Sequence, residues 1–553
     1  MPRSETQSPL GNTGESARLP WLTMSPNKEP AGLRVLVLAV FLVTLGAVLF
    51  ARIRLLGLPL ERDEGEYAYT GQLILGGIPP YQLAYSMKFP GTAAAYALLM
   101  SIFGKSTSGV HLGLIAVNLM TVALIFDVGR NLFGEISGMA SAAAYSVLSL
   151  MPHVLGNAAH ATHFVALFSV AGSAVLIRTL NRKSATLIFT SGCLYGLAIL
   201  VKQPGIFFAG FGTVCLLAHD YRAHLETRET IRRALLFVAG ISTPVAITCL
   251  ILWGAGVFHQ FWFWTIHYAG QYGSQVSLSE GVSIFTGHFF GALGTAWPIW
   301  TIALVGFVLC IAMRTLRGGA GFLILFTFSS ALAVCPGFYF RPHYFVLLLP
   351  AISLLAGTVM AATRSSTMTF RFAVLALLTV SIFWPLWSEA DFFFERPLLE
   401  ANRMVNGTNP FPESVRIGEY IRQQSDPTDR IAVLGSEPQI YFYANRRSAS
   451  GYIYTYGLME PQPYAHQMQQ EMINEIERAH PKFLVLVVMN KSWLTGRDSD
   501  LTIFRWADSY CDANYEEVGL INITDQGTDY YLAGRPPGVT PTADHILIYR
   551  RKT

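Results

Sequence analysis

Apolar residues gather in long blocks along this chain instead of alternating with polar ones, and the blocks stop near residue 389. A helix that crosses a bilayer needs roughly 20 mainly apolar residues. That rule predicts spans near 33–53, 107–127, 136–154, 163–180, 184–200, 204–219, 234–254, 286–311, 320–338, 344–363 and 372–388, about eleven in all. The segment 54–106 between the first two is too long for a turn. Inside it, Glu64 to Leu75 has helical periodicity, Gly76-Gly77 offers a stop and Ile78-Pro79-Pro80-Tyr81 reads as a rigid extended turn. Thr92 to Phe103 then reads as a second short helix lying at the membrane interface.

After Trp387 the pattern changes. Residues 412–424 and 467–479 read as amphipathic helices, and 430–434, 482–488, 515–523 and 545–550 as strands. Helices alternating with buried strands predict a small α/β domain with a mostly parallel sheet. The expected organisation is a polar tail over 1–32, disordered and cytoplasmic, then a transmembrane domain over 33–389, then an extracytoplasmic α/β domain over 390–553. The first apolar block lacks a small-residue cleavage pattern and reads as an uncleaved anchor.

Composition supports the same class. The 553 residues are 52% hydrophobic and 13% charged, with a mean hydropathy of +0.39, where a soluble domain carries about 25% charged residues. The fold class is therefore a polytopic α-helical membrane protein. The net charge is only +4, with Lys and Arg scattered, which excludes a nucleic-acid surface. Five of the six cysteines, Cys193, Cys215, Cys249, Cys310 and Cys335, fall in apolar blocks, leaving Cys511, so there is no disulfide framework or CxxC metal motif. No GxGxxG or P-loop suggests a nucleotide.

Short cytoplasmic loops carry the excess of Arg and Lys. With the N-terminus inside, Arg130, Arg178, Arg182, Lys183, Arg222, Arg228, Arg232, Arg233, Arg314, Arg317, Arg364 and Arg371 face the cytoplasm, and the outer loops hold fewer. An odd number of spans puts the C-terminal domain outside. The same topology removes Asp127, Glu135, Asp220, Glu226 and Glu229 from an outward-facing site. What remains is Glu280, Glu389 and the acidic stretch Glu61-Arg62-Asp63-Glu64-Gly65-Glu66-Tyr67.

Carboxylates beside a bilayer are costly unless solvated or used. Taken alone, Asp63 and Glu66 form a D-x-x-E capping box, and Glu61 and Glu66 read as solvated or helix-start charges. Tyr67 lies one turn after Asp63 and orients it or a substrate, or is an interfacial tyrosine. Lys88 either works at the site or snorkels to headgroups, and Lys202 and Arg341 face the same choice. The aromatic run Phe261, Trp262, Phe263, Trp264, Tyr268 and Tyr272 reads as an interfacial belt rather than a sugar platform. His160 and His163 are three apart, a spacing that can bind a metal, but no third ligand is identifiable and a polar loop is the favoured reading.

Three motifs in series resemble a known pattern. Arg62-Asp63-Glu64-Gly65-Glu66-Tyr67, then Gly76-Gly77-Ile78-Pro79-Pro80-Tyr81, then Met87-Lys88-Phe89-Pro90-Gly91 resemble the first outer loop of the C-superfamily (GT-C-like) membrane glycosyltransferases. That group includes protein O-mannosyltransferases and the aminoarabinose transferases that modify lipid A. Val201-Lys202-Gln203-Pro204 and Arg341-Pro342-His343-Tyr344 extend the similarity.

The resemblance implies transfer of a glycosyl group, with inversion, from a polyprenyl-phosphate sugar to an extracytoplasmic protein, lipid or glycan. It assigns Asp63 as general base with Glu64 as its neighbour, and Lys88 near the donor phosphate. Lys202, Arg341 and His343 become further phosphate-side candidates, and Tyr67, Tyr81, Tyr344, His160 and His163 substrate-side ones. Relatives often carry an acidic residue near the position of His163 and this chain does not, so neither a metal site nor a second carboxylate is carried over from them; a divalent metal is left as an option and no metal ligands are assigned. The expected location is a bacterial inner membrane with a periplasmic site. A transporter or lipid flippase is the competing class; it predicts charges near mid-span and paired inverted repeats, and the sequence shows no convincing instance of either.

Overall fold

A computed structural model describes residues 29–181, 184–532 and 534–552. Most of the expected tail, with Arg182 and Lys183, lies outside the described residues; Ala31 and Gly32, expected in the tail, instead open the first helix. All eleven expected spans fall on helices. Among the described residues, seven helices are long and apolar enough to cross a membrane: Ala31–Gly57, Thr107–Phe133, Ala161–Leu180, Thr227–Gly254, Leu278–Ala312, Arg314–Val334 and Met368–Ser388. Gly91–Phe103, Ala185–Val201 and Leu349–Ala362 are shorter apolar helices. On Thr227–Gly254, Leu235, Val238, Leu250, Ile251 and Trp253 are exposed in a row of apolar side chains that only lipid would cover. The chain is an integral membrane protein.

Four expected spans are broken, among them 320–338, whose α-helix ends at Val334 before a 3-10 turn at Pro336–Phe338. The helix begun at Glu135 ends at Leu148, and Pro152 opens a short 3-10 turn. The long block after Leu278 bends at Gly294, whose φ of 45° few other residues adopt. Pro342–Leu347 is a 3-10 segment, and the α-helix runs only over Leu349–Ala362. The breaks at Pro152 and Pro342 place irregular backbone beside the acidic stretch, where Pro152 and Leu155 line a cavity with Glu61 and Glu64 and His343 stacks on His160; the bend at Gly294 packs on His153.

The C-terminal domain carries one sheet: β1 (Arg430–Leu434), β2 (Arg447–Ser448), β3 (Phe483–Val488), β4 (Tyr515–Thr524), β5 (Gly527–Tyr531) and β6 (Asp544–Arg551), ordered β2-β1-β3-β6-β4-β5. Only the β1–β2 and β1–β3 pairs are parallel; β3–β6, β4–β6 and β4–β5 are antiparallel. The mostly parallel sheet is thus corrected to a mixed one. Asp525-Gln526 closes β4 onto β5 as a two-residue hairpin, a connection that forces antiparallel pairing. β3 is apolar and buried along nearly its whole length, as a central strand must be.

The aromatic run 258–273 is not a belt. Phe261, Trp264 and Tyr268 are buried, with Trp264 stacked on Tyr85 at 5.4 Å and packed on Tyr452, and the Tyr268 hydroxyl donating to Glu460 at 2.8 Å. These rings seal the membrane half against the C-terminal domain. Trp262, 46% exposed, keeps a belt-like position.

Candidate active site

The site is built on the loop helix Arg62–Leu75. Its N-cap is Glu61, whose carboxylate accepts from the Glu64 N–H at 2.8 Å while the Glu64 carboxylate accepts from the Glu61 N–H at 3.2 Å. The capping box is therefore Glu61 with Glu64, not Asp63 with Glu66, because the helix starts one residue before Asp63. Asp63 is released from capping. Glu64 is buried: its Oε1 also accepts from the Ala159 N–H at 2.6 Å and lies 3.2 Å from His111 Nε2. Burial and the Asp63 and Glu64 charges push the Glu61 carboxyl up.

Lys88 reaches back over this helix. Its Nζ lies 2.9 Å from Asp63 Oδ1 and 2.6 Å from Glu66 Oε2, and 4.6 Å above the Tyr67 ring. Glu66 also accepts from the Ser86 hydroxyl at 2.6 Å and is 4% exposed, so its reading as a solvated charge is corrected. One helical turn separates Asp63 from Glu66, which puts both carboxylates on the face that Lys88 meets. Tyr81 is buried with φ 67°, and its hydroxyl donates to the Lys88 carbonyl at 2.8 Å. It holds the Lys88 turn in place, and its hydroxyl is spent there.

The remaining expected residues converge from three other segments. The Gln203 amide donates to the Met87 carbonyl at 2.9 Å, tying the Lys202 turn to the Lys88 turn. Lys202 Nζ sits 4.1 Å from the centre of the Tyr344 ring. Arg52 donates to the Ser149 and Gly156 carbonyls at 2.6 and 3.1 Å, and the Tyr96 hydroxyl donates to the Ala159 carbonyl at 2.8 Å, so the loop before His160 is pinned. His160 stacks on His343 at 4.1 Å, with its Nδ1 3.9 Å from Asp63 Oδ2. Arg341 is exposed at the rim, beside the Tyr339 ring. His163 does not join them; it lies in the first turn of the helix Ala161–Asn181, fully buried, with both ring nitrogens lacking a hydrogen-bond partner among the described residues.

The electrostatics follow from this crowding. Burial alone would raise the Asp63 carboxyl, but the Lys88 ammonium paired with it outweighs that and holds Asp63 well below the usual carboxylate range. Burial would lower Lys88, yet Asp63 and Glu66 raise it well above its ordinary value. Lys202 has no ion pair among the described residues; burial brings it down to about 7, against a pull upward from Asp63. Burial lowers His160 to about 4 and depresses His343 too, so both rings are neutral. Asp63, His160 and His343 each offer a ligand atom, all within 4.8 Å of one another. Neutral imidazoles with a carboxylate are a suitable donor set for a divalent cation, and the group replaces the His160 and His163 pair weighed from the sequence.

The C-terminal domain supplies what sequence reasoning missed. Arg62 Nε donates to the Ser436 carbonyl at 2.6 Å, and its guanidinium meets Glu437 at 2.7 Å in a buried pair. A side chain at Gly65 would bring its Cβ within 2.7 Å of Gln439, so glycine is what lets the helix touch this domain. The Tyr69 hydroxyl bonds to Ser448, and the Leu60 N–H donates to the Tyr443 hydroxyl at 2.9 Å. Tyr454 then places its ring 5.5 Å from Lys88 Nζ.

Residues 88–247 match the family described as dolichyl-phosphate-mannose-protein mannosyltransferase. The structure is similar to that of ArnT from Cupriavidus metallidurans bound to undecaprenyl phosphate, with a TM-score of 0.58 at 15% identity, covering 94% of this chain and 98% of that one. The apo state of ArnT from the same organism gives 0.54 at 16% identity over the same shares. The archaeal oligosaccharyltransferase AglB from Archaeoglobus fulgidus, in complex with an inhibitory peptide and a dolichol-phosphate, gives 0.49 at 13% identity, covering 91% of this chain and 75% of that one. No curated protein matches the chain. The chain is thus similar in sequence over residues 88–247 to that mannosyltransferase family, and in fold over nearly its whole length to ArnT.

Proposed function

We propose that this protein transfers a glycosyl group from a polyprenyl-phosphate donor to an extracytoplasmic acceptor, with inversion and with Asp63 as general base. The observation that carries the reading is the Asp63 carboxylate, poised between Lys88 at 2.9 Å and His160, in a fold similar to that of a protein bound to undecaprenyl phosphate. In the step, the acceptor hydroxyl oxygen bonds to the anomeric carbon and its proton passes to Asp63. The bond from that carbon to the phosphate oxygen breaks, and the electron pair leaves with the lipid phosphate.

An aspartate so tightly paired is a weak base, and the pairing suggests how it is armed. A donor phosphate competes for Lys88, and each increment of Lys88 charge drawn toward the phosphate restores basicity to Asp63. Lys202 and Arg341 meet the charge that develops on the leaving group. A divalent cation held by Asp63, His160 and His343 would add positive charge facing that phosphate. The site would face the periplasm of a bacterial inner membrane, consistent with the Arg and Lys asymmetry of the loops.

The test is transfer by the purified protein from polyprenyl-phosphate sugars. Asp63→Asn is expected to lower turnover by about 10²–10⁴-fold. Undiminished turnover in that variant would remove Asp63 as base. Sugar-lipid translocation without transfer would favour the flippase reading.

A further inference from the structure

Tyr454 is the one tyrosine of the segment 452–456 whose hydroxyl has no hydrogen-bond partner among the described residues. Everything around it is committed. Tyr452 donates to Glu471 at 2.6 Å, and Tyr456 donates to the Lys491 carbonyl at 2.8 Å. Thr455 is fully buried, with its N–H and hydroxyl both on the Ser436 hydroxyl at 2.9 Å. The Tyr456 ring meets Tyr454 edge-on at 4.8 Å and is itself backed by the Arg62 guanidinium at 5.5 Å. A partly exposed phenol is thus backed by Tyr456, with Lys88 Nζ 5.5 Å from its ring centre.

A rigid aromatic ring beside a polar cleft offers an apolar face and a polar tip together. The object that must occupy this place is fixed by the chemistry. The acceptor hydroxyl lies at Asp63 and the phosphate at the cations, so the pyranose or furanose ring that is transferred lies between them. We propose that Tyr454, contributed by the C-terminal domain, contacts the transferred sugar of the donor: its ring underlies the C–H face and its hydroxyl donates to a sugar hydroxyl. The C-terminal domain then takes part in choosing the donor sugar. This rests on the glycosyltransferase reading above.

Binding and turnover of the purified full chain are read separately. Two probes are used, a polyprenyl-phosphate sugar and sugar-free polyprenyl phosphate. Tyr454→Ala is expected to weaken binding of the sugar-linked lipid about tenfold, a loss of about 1.4 kcal/mol. Sugar-free polyprenyl phosphate should bind within about twofold of wild type. Tyr454→Phe keeps the ring and is expected to lose about threefold, and Tyr456→Phe, whose hydroxyl points at Lys491, serves as the control for disturbed packing. Equal weakening of both probes by Tyr454→Ala and Tyr454→Phe would overturn the assignment, as would a rise confined to the KM of the acceptor. Failure of the wild type to transfer any sugar would sink the glycosyltransferase reading alone, because preference for the sugar-linked probe and its loss in Tyr454→Ala are measured without turnover.

Discussion

Two buried charge clusters stand at the two ends of one helix, Gly205–Arg222, and they are built in opposite ways. At its C-terminal end, Asp220 accepts from Arg233 Nε and lies against His219 Nδ1, each at 2.9 Å, with Asp220 fully buried. The carboxylate is matched on both oxygens and closed off. Roughly 20–25 Å away at 1.5 Å per residue, the cluster beside Lys202 is left open. Lys88 is shared by two carboxylates, Lys202 faces a ring, and His160 has no hydrogen-bond partner on either nitrogen. A buried carboxylate matched on both oxygens reports structure, whereas shared and unpaired groups gathered beside a perturbed carboxylate mark a candidate functional site.

Variants at the two ends should separate these roles. The largest effect is the loss of turnover in Asp63→Asn at unchanged thermal stability. Asp220→Asn should do the reverse, since removing one partner of a buried pair costs about 3–5 kcal/mol. A lowered melting temperature with near-normal turnover per folded molecule is the expected result. An inactive but fully stable Asp220→Asn would erase the distinction.

Glu66→Gln sharpens it next. Losing one charge-assisted hydrogen bond leaves Lys88 to Asp63 alone, which binds that base more tightly, so kcat/KM should fall about tenfold. Wild-type kinetics in this variant would return Glu66 to the status of a helix-start charge. The smallest effect concerns pH. Lys202, brought down to about 7 by burial, is charged below that value and neutral above it. Affinity for sugar-free polyprenyl phosphate should therefore be full at low pH and decline a few-fold as pH rises past about 7. Lys202→Arg keeps its charge throughout and should flatten the profile. A chelator that lowers turnover in wild type, with recovery on adding a divalent metal, would bring Asp63, His160 and His343 into play as ligands.

Much of the candidate site was legible in the chain itself. Asp63, Lys88, Lys202, Arg341 and His343 stand in local motifs, and the structure brings the segments that carry them together. The helix at Arg62–Leu75 and the strands at Arg430–Leu434 and Phe483–Val488 followed from periodicity almost residue for residue. His160 and His163 could not be told apart, because three residues of sequence put one before a helix start and the other on its inward face. Glu66 carried one signal, its spacing of one turn from Asp63, which was read as a cap. Tyr454 carried none: it lies 391 positions from Asp63 and reaches the site only because two chain halves dock.

The sequence by itself determined that the chain is embedded in a membrane and where its main helices and strands lie, and it singled out the acidic stretch 61–67 as a candidate. Those properties are set by runs and periods of neighbouring residues, which burial of apolar area and backbone hydrogen bonding read directly. The tertiary structure alone decided the roles within that loop. Glu61 and Glu64 cap and brace, Glu66 shares Lys88, and Asp63 is left uncapped between Lys88 and His160. The reason is that the energy of a charge depends on its distance to other charges and on its access to water, and both are fixed by segments remote in the chain.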